Sequence, residues 1–161
     1  MAPGGPVVAL ALVATLGAAP VRAEMLAVMP AKMLDTSQEA TDQRADHERR
    51  LARLTEALAS DLGGAGPYTG TIAVTADTIA AACPRETATC LIDVARDAGG
   101  DHALFVVVQK SSSLILQTFA HVVDLRTNAL VVSRDLTFRG DNDEAWTKME
   151  AFLARTLASA R

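Results

Sequence analysis

Two cysteines, a Lys-Ser-Ser-Ser run and a His three residues ahead of an Asp are the parts of this sequence that can do chemistry. Cys83 and Cys90 are the two cysteines. As thiolates they can exchange disulfides or hold a metal, and once oxidised they staple the chain. An even count in an exported chain points to the staple, and the N-terminus argues for export below. The pair flanks Pro84, so the closed loop is short and a disulfide there stabilises by about 2.5 kcal/mol on chain-entropy grounds. Two alternatives stay open. A redox-active pair more usually has two residues between its cysteines, at a helix N-terminus. A metal site using both sulfurs with His102 still lacks a fourth ligand.

Ser111-Ser112-Ser113, His121 and Asp124 supply the residue types of a nucleophilic triad. Spacing argues against it. Residues three apart on a strand point to opposite faces, so His121 and Asp124 cannot share the hydrogen bond that orients a base. Lys110 beside the serines is the better candidate for function. At the end of a strand it can pair a carboxylate, and short polar residues next to it leave backbone amides for β-augmentation or capture of an acidic group. Lys110, Ser111, Ser112 and Ser113 are therefore the candidate partner-binding residues, set against an ordinary solvated connection. On that reading Lys110→Glu weakens partner capture and leaves thermal stability almost unchanged. The Gly63-Gly64-Ala65-Gly66-Pro67 run lacks the Lys-Ser/Thr and the following helix of a phosphate loop, so it is a plain turn. Arg139-Gly140-Asp141 matches an adhesion tripeptide, but its last two residues read as a turn and a helix cap. No catalytic residue, metal site or cofactor follows from these patterns.

The elements that must carry these residues begin after an N-terminal segment that leaves. Val7 to Leu16 is an apolar run of signal-peptide length, too short to span a bilayer. Val21-Arg22-Ala23 ends it in the manner of a cleavage site, which predicts a signal peptide over 1–23 and a mature chain from Glu24. No Cys follows the run, so the mature chain has no lipid attachment point and is expected in the periplasm. About 138 residues then remain, enough for one domain, 24–161, with a sizeable core. Hydrophobic residues make up 50% of the chain and aromatics only 4%, so Val, Leu, Ile and Ala must build that core. The net charge of −4 becomes −5 without Arg22. With no basic run, nucleic acid is a poor partner.

Asp101 to Arg139 organises the rest as a three-strand meander. Ala103 to Gln109 is a continuous apolar run suited to a strand buried on both faces. Leu114 to Val123 and Leu130 to Phe138 follow, rich in β-branched residues, with Asn128 able to take the positive φ of the tight turn between them. Met25 to Pro30 predicts a first strand, Ala31 to Gln43 a surface loop, and Tyr68 to Val74 a further strand. A helix over Arg44 to Leu62, capped by Thr41 or Asp42, puts Leu51, Leu54, Leu58 and Leu62 on one stripe. His47, Arg49, Arg50 and Arg53 then fall on its solvated face. Short helices span Asp77 to Cys83, capped by Thr75, and Ala88 to Ala98. In the closing helix, Asp141 and Glu144 form a capping pattern ahead of Trp146, Met149, Leu153 and Leu157. The predicted fold is α/β (an α+β sandwich), a mixed, largely antiparallel sheet of about five strands with helices packed on it.

Several stretches carry a family resemblance: Leu34-Asp35-Thr36-Ser37, Arg50-Leu51 to Leu54, Lys110 to Leu116, Asp124-Leu125-Arg126-Thr127 and Arg139 to Trp146. With them the chain resembles a family of small exported proteins of Gram-negative bacteria that carries the label of a domain of unknown function. The order of elements is similar to the TolB N-terminal domain and to the curli-secretion and penicillin-binding-protein-activator lipoproteins, which use a small α/β sandwich for protein contacts. That resemblance implies a non-catalytic periplasmic accessory or interaction module, with another envelope protein as partner. It also implies a link to periplasmic quinoprotein alcohol oxidation. The cysteine spacing is wider than the family's closer pair, and the lipoprotein Cys is missing. Opposed readings are a thiol-redox or other enzyme centred on Cys83 and Cys90, and a small-ligand-binding periplasmic protein.

Overall fold

Alternation and helical period decide most of the architecture. The computed structural model describes residue 1 and residues 24–160, so residues 2–23 of the expected signal peptide, with its expected cleavage position, lie outside the described residues. In chain order the elements are β1 (Met25–Val28), β2 (Lys32–Asp35), α1 (Arg44–Leu62), β3 (Gly70–Ala73), α2 (Ala76–Ala82), α3 (Ala88–Asp97), β4 (His102–Lys110), β5 (Ile115–Asp124), β6 (Ala129–Arg139) and α4 (Asp143–Ala158). They form one six-stranded sheet in the order β3-β1-β4-β5-β6, with β2 also on β4. The β4-β5-β6 meander is antiparallel, and β1 and β2 run parallel to β4. The mixed α/β architecture is the one the sequence predicts. Asn128 has φ 60° at the β5–β6 turn, as that turn requires.

One expected loop is partly a strand. β1 lies beside His102–Leu104 and β2 beside Val107–Lys110, so the two are successive stretches of one interrupted strand. Val28 pairs with Leu104 and Lys32 with Val107, which leaves one residue too many on the β1–β2 side, a bulge centred on Pro30. Proline has no amide to give the ladder. The next amide, Ala31 N–H, leaves the sheet and donates to Thr55 Oγ1 of α1 at 2.9 Å. A four-residue strand with one inward side chain, Met33, is too short for its alternation to stand out.

The two faces of the sheet are covered unequally. On one, α1 and α4 bring Leu54, Leu58, Leu62, Trp146, Met149, Leu153 and Leu157 against Leu26, Leu104, Val106, Val108, Leu116 and Val122. Each fully buried side chain of this kind stabilises by about 2 kcal/mol, more than the few tenths separating helix propensities. Packing therefore fixes these helices. On the other face, α2 and α3 set Ile79, Cys83 and Val94 against Ala27 and Ala103. They reach β1 and β4 but not β5 or β6. The Cys83–Cys90 disulfide, Cα–Cα 6.0 Å, joins the end of α2 to α3. Both sulfurs are thus committed, which removes the metal site with His102. Thr75 and Thr87 cap these helices by accepting from Thr78 N and Cys90 N.

Candidate functional site

Strand period carries β4 from Leu104 through Val106 and Val108 to Lys110 on one face, and that face is covered by α1 and α4. Lys110 therefore points inward and is 0% exposed. The solvated-edge expectation for this lysine does not hold. Its ammonium lies 3.0 Å from Glu39 Oε2 and 3.1 Å from Asp141 Oδ2, and it also donates to Gln43 Oε1.

Asp141 is the hub. Its carboxylate accepts from Arg50 Nη1 at 2.9 Å and Trp146 Nε1 at 3.1 Å, in addition to Lys110. His47 Nε2 completes the set at 2.7 Å, and against an ionised carboxylate that ring nitrogen is the donor. Arg50 Nε reaches on to Asp143 Oδ1 at 2.7 Å. Four remote segments are joined here: the 36–43 connection, the start of α1, the end of β4 and the start of α4. Gly140, with φ +94°, turns the chain so that residue 141 faces in.

Three sequence expectations are corrected by this cluster. Asp141 does not cap the closing helix. Asn142 does, its Oδ1 accepting from Ala145 N at 2.9 Å, while Asp141 turns away into the cluster. His47 and Arg50 do not lie on a solvated face, for His47 is buried and the Arg50 side chain is 10% exposed. The signal was present, because residues 47 and 50 each sit four residues before a stripe leucine, Leu51 and Leu54. At the start of α1 the cap residue is Gln43, without a side-chain cap bond, while Asp42 accepts from Arg44 N at 3.1 Å.

The serine run is also engaged. Ser111 N and Ser112 N donate to Ile115 O, and Ser113 N donates to Glu39 Oε1. The amides expected to be open for an acidic group are already used, and the ammonium beside them is buried. The triad residues stay apart. Ser111 to Ser113 sit at one end of β5 and Asp124 at the other, where it accepts from Arg126 N and Thr127 N in the turn. His121 stands in a row between Phe105 and Ser133.

Electrostatics hold the cluster in its charged form. Burial works to lower the Lys110 pKa, but Glu39 and Asp141 outweigh it and the group is raised. Burial works to raise Asp141, and hydrogen bonds from His47, Lys110 and Trp146 outweigh it to hold the carboxyl below its ordinary value. A protonated lysine is no nucleophile. His47 and Asp141 have the geometry of a base and its orienting carboxylate, yet no Ser, Thr or Cys among the described residues hydrogen-bonds to His47. The arrangement is chemically a lock, joining segments by paired charge. Among the described residues, no group of His, Cys, Asp and Glu is placed to hold a metal ion.

The fold is shared with PelC from Paraburkholderia phytofirmans, solved as a dodecamer. The two are 15% identical, with 88% of this chain and 93% of that one covered at a TM-score of 0.54. The chain is also similar to LpoB from E. coli, 15% identical over 84% of this chain and 77% of that one, with a TM-score of 0.49. For TolB from Acinetobacter baumannii the identity is 11%, over 85% of this chain and 28% of that one, with a TM-score of 0.47. No curated protein matches the sequence. A family model spans residues 24–157, from the first strand to the last turn of α4. The chain belongs to the DUF3280 family, described as protein of unknown function (DUF2380).

Proposed function

We propose that this chain is a non-catalytic accessory module of the periplasm, exported by a signal peptide over 1–23, that binds another envelope protein through the uncovered part of its sheet. The unequal cover of the two faces carries the reading. Where α2 and α3 stop, Val107, Phe119 and Asp135 form one cross-strand row, and Leu34, Gln109, Gln117 and Thr137 form the next. Leu34 is 50% exposed and Ile115 45%, at the same end of that face. β6, eleven residues long, closes the sheet as an edge strand. Its outer backbone groups can take an added strand. Phe119 and Val107 supply the apolar centre such an interface needs, with Gln and Thr around it.

PelC, of the same fold, is a dodecamer, and an assembly of that kind needs surfaces that bind protein. The resemblance to families associated with quinoprotein alcohol oxidation makes those enzymes the first partners to try. The test is site-specific crosslinking in the periplasm with a photoreactive residue at Thr137. A discrete adduct is expected, lost when Leu34→Glu and Ile115→Glu are combined, while thermal stability stays near wild type. An adduct that survives the double variant overturns this surface.

A further inference from the structure

The open edge of β6 is basic on a chain that is acidic overall, at −4. Between that edge and α4 lies a groove of about 400 Å³. Leu136, Phe138, Ala145, Met149 and Phe152 give it an apolar lining, and Arg139 and Lys148 supply its charge. Phe152 is 48% exposed, so α4 leaves an aromatic ring half uncovered beside the edge strand. Arg134 shares the face of Leu136 and Phe138 by strand period. Arg155 joins them from α4, its Cζ 5.9 Å from the centre of the Phe152 ring.

These cations are short of partners. Arg44, Arg49, Arg50 and Arg96 each meet a carboxylate. Among the described residues Arg134, Arg139 and Arg155 form no ion pair, and Arg134 Nη1 donates to Ser133 O instead. Lys148 meets Glu144 at 2.6 Å, a pair that lies almost wholly in solvent and contributes little. The other nearby carboxylates are turned away. Asp135 falls on the opposite face of β6, in the row of Phe119, and Glu150 lies on the α1 side of α4, where it feels the charge of Arg53.

We propose, resting on the added strand of the proposed function, that this edge takes an acidic extended segment of the partner protein, apolar at alternate residues. Such a strand runs about 4.8 Å outside β6. Its side chains on the α4 side then cover Phe138 and Phe152, and its carboxylates reach the unpaired guanidinium groups. Backbone pairing and apolar contact supply the affinity, while the basic rim admits only a strand of opposite sign. The same rim excludes a second copy of this chain, because pairing β6 with its own copy about a two-fold axis brings two basic edges together.

The experiment is an NMR titration of the purified protein with end-capped peptides of about six residues that alternate Glu and Val. Saturable shifts are expected at the backbone amides from Ser133 to Arg139 and at the Phe152 ring. A peptide alternating Lys and Val should bind at least tenfold more weakly, as should one with the same Glu and Val in two blocks. One alternate set of peptide amides faces β6, so N-methylation of that set should abolish binding and N-methylation of the other should not. Arg134→Glu combined with Arg139→Glu should turn the preference toward the Lys-Val peptide, with a melting temperature near wild type. Absence of saturation with the Glu-Val peptide, equal binding of the Lys-Val peptide, binding that survives both methylation patterns, or an unturned preference in the double variant overturns the proposal. Phosphatidylglycerol vesicles that bind the same residues more tightly than the peptide overturn it in favour of a membrane contact. A Thr137 adduct without peptide binding removes only the acidic strand, whereas peptide binding without that adduct removes only the surface proposed above.

Discussion

The two faces of the sheet treat polar residues in opposite ways. Under α1 and α4 even the charged ones are shut in, and Lys110, His47 and Asp141 each find a partner there. On the other face, beyond α2 and α3, Gln109, Gln117, His121 and Asp135 point outward along the same strands with no helix over them. The difference teaches where each face is vulnerable. A charge taken from the covered face leaves a partner charge buried and unpaired, which costs far more than the pair itself contributes. A change on the uncovered face alters only what the surface can bind.

The largest effect should therefore come from the hub. Asp141→Ala leaves Lys110, His47 and Arg50 without their shared acceptor and should cost about 3–5 kcal/mol in urea unfolding. A loss under about 1 kcal/mol would erase the distinction between the faces. Lys110→Glu should likewise unfold or strongly destabilise the protein, so the expectation of near-unchanged stability at this position does not survive its burial. The pH dependence has a definite sign. The Asp141 pKa is depressed in the folded state, so its contribution is present above the unfolded carboxyl value and lost as pH falls through the folded one. That of Lys110 is raised, so its contribution is present below the unfolded lysine value and lost as pH rises through the folded one. Stability should plateau between about pH 4 and 10 as far as this pair sets it, and Asp141→Asn should flatten the acid limb. An acid limb as steep in that variant as in wild type would assign acid loss elsewhere.

Next in size is the staple of the partly covered face. Replacing Cys83 and Cys90 by Ala should cost about 2.5 kcal/mol, read as a lower melting temperature. Hydrogen exchange should rise in α2 and α3 ahead of α1 and α4, and uniform exchange would mean that the two layers open as one unit. Smaller again is Asn142→Ala, which removes the α4 cap and should cost about 1 kcal/mol. No change in the urea midpoint would return the capping role to another group. The smallest effect belongs to the uncovered face. Ile115→Glu should stay within about 0.5 kcal/mol of wild type, and a larger loss would show that this face is covered by something tighter than solvent.

Residues 44–62 form the helix the sequence predicts, residue for residue, because an apolar stripe, a polar start and a glycine stop all agree there. The meander, the disulfide and the Asn128 turn were legible for the same reason, each fixed by neighbours close in the chain. The interior site was half legible. Residue 110 has the parity of Leu104, Val106 and Val108, and residue 47 lies one helical turn before Leu51. Position pointed both side chains inward while residue type pointed them to solvent.

Local periodicity thus determined which segments are helix and strand and which face of each is apolar. What it could not decide is whether a charged residue on an inward position is buried. Burial of an ion costs several kcal/mol unless an opposite charge meets it, and here the partners arrive from the 36–43 connection, α1 and α4. Only the packed arrangement supplies them together. The same holds for β2, whose four residues become a strand because β4 offers its edge beyond Pro30, and for the uncovered half of the sheet, where among the described residues α2 and α3 pack over β1 and β4 and no helix covers β5 or β6 on that face.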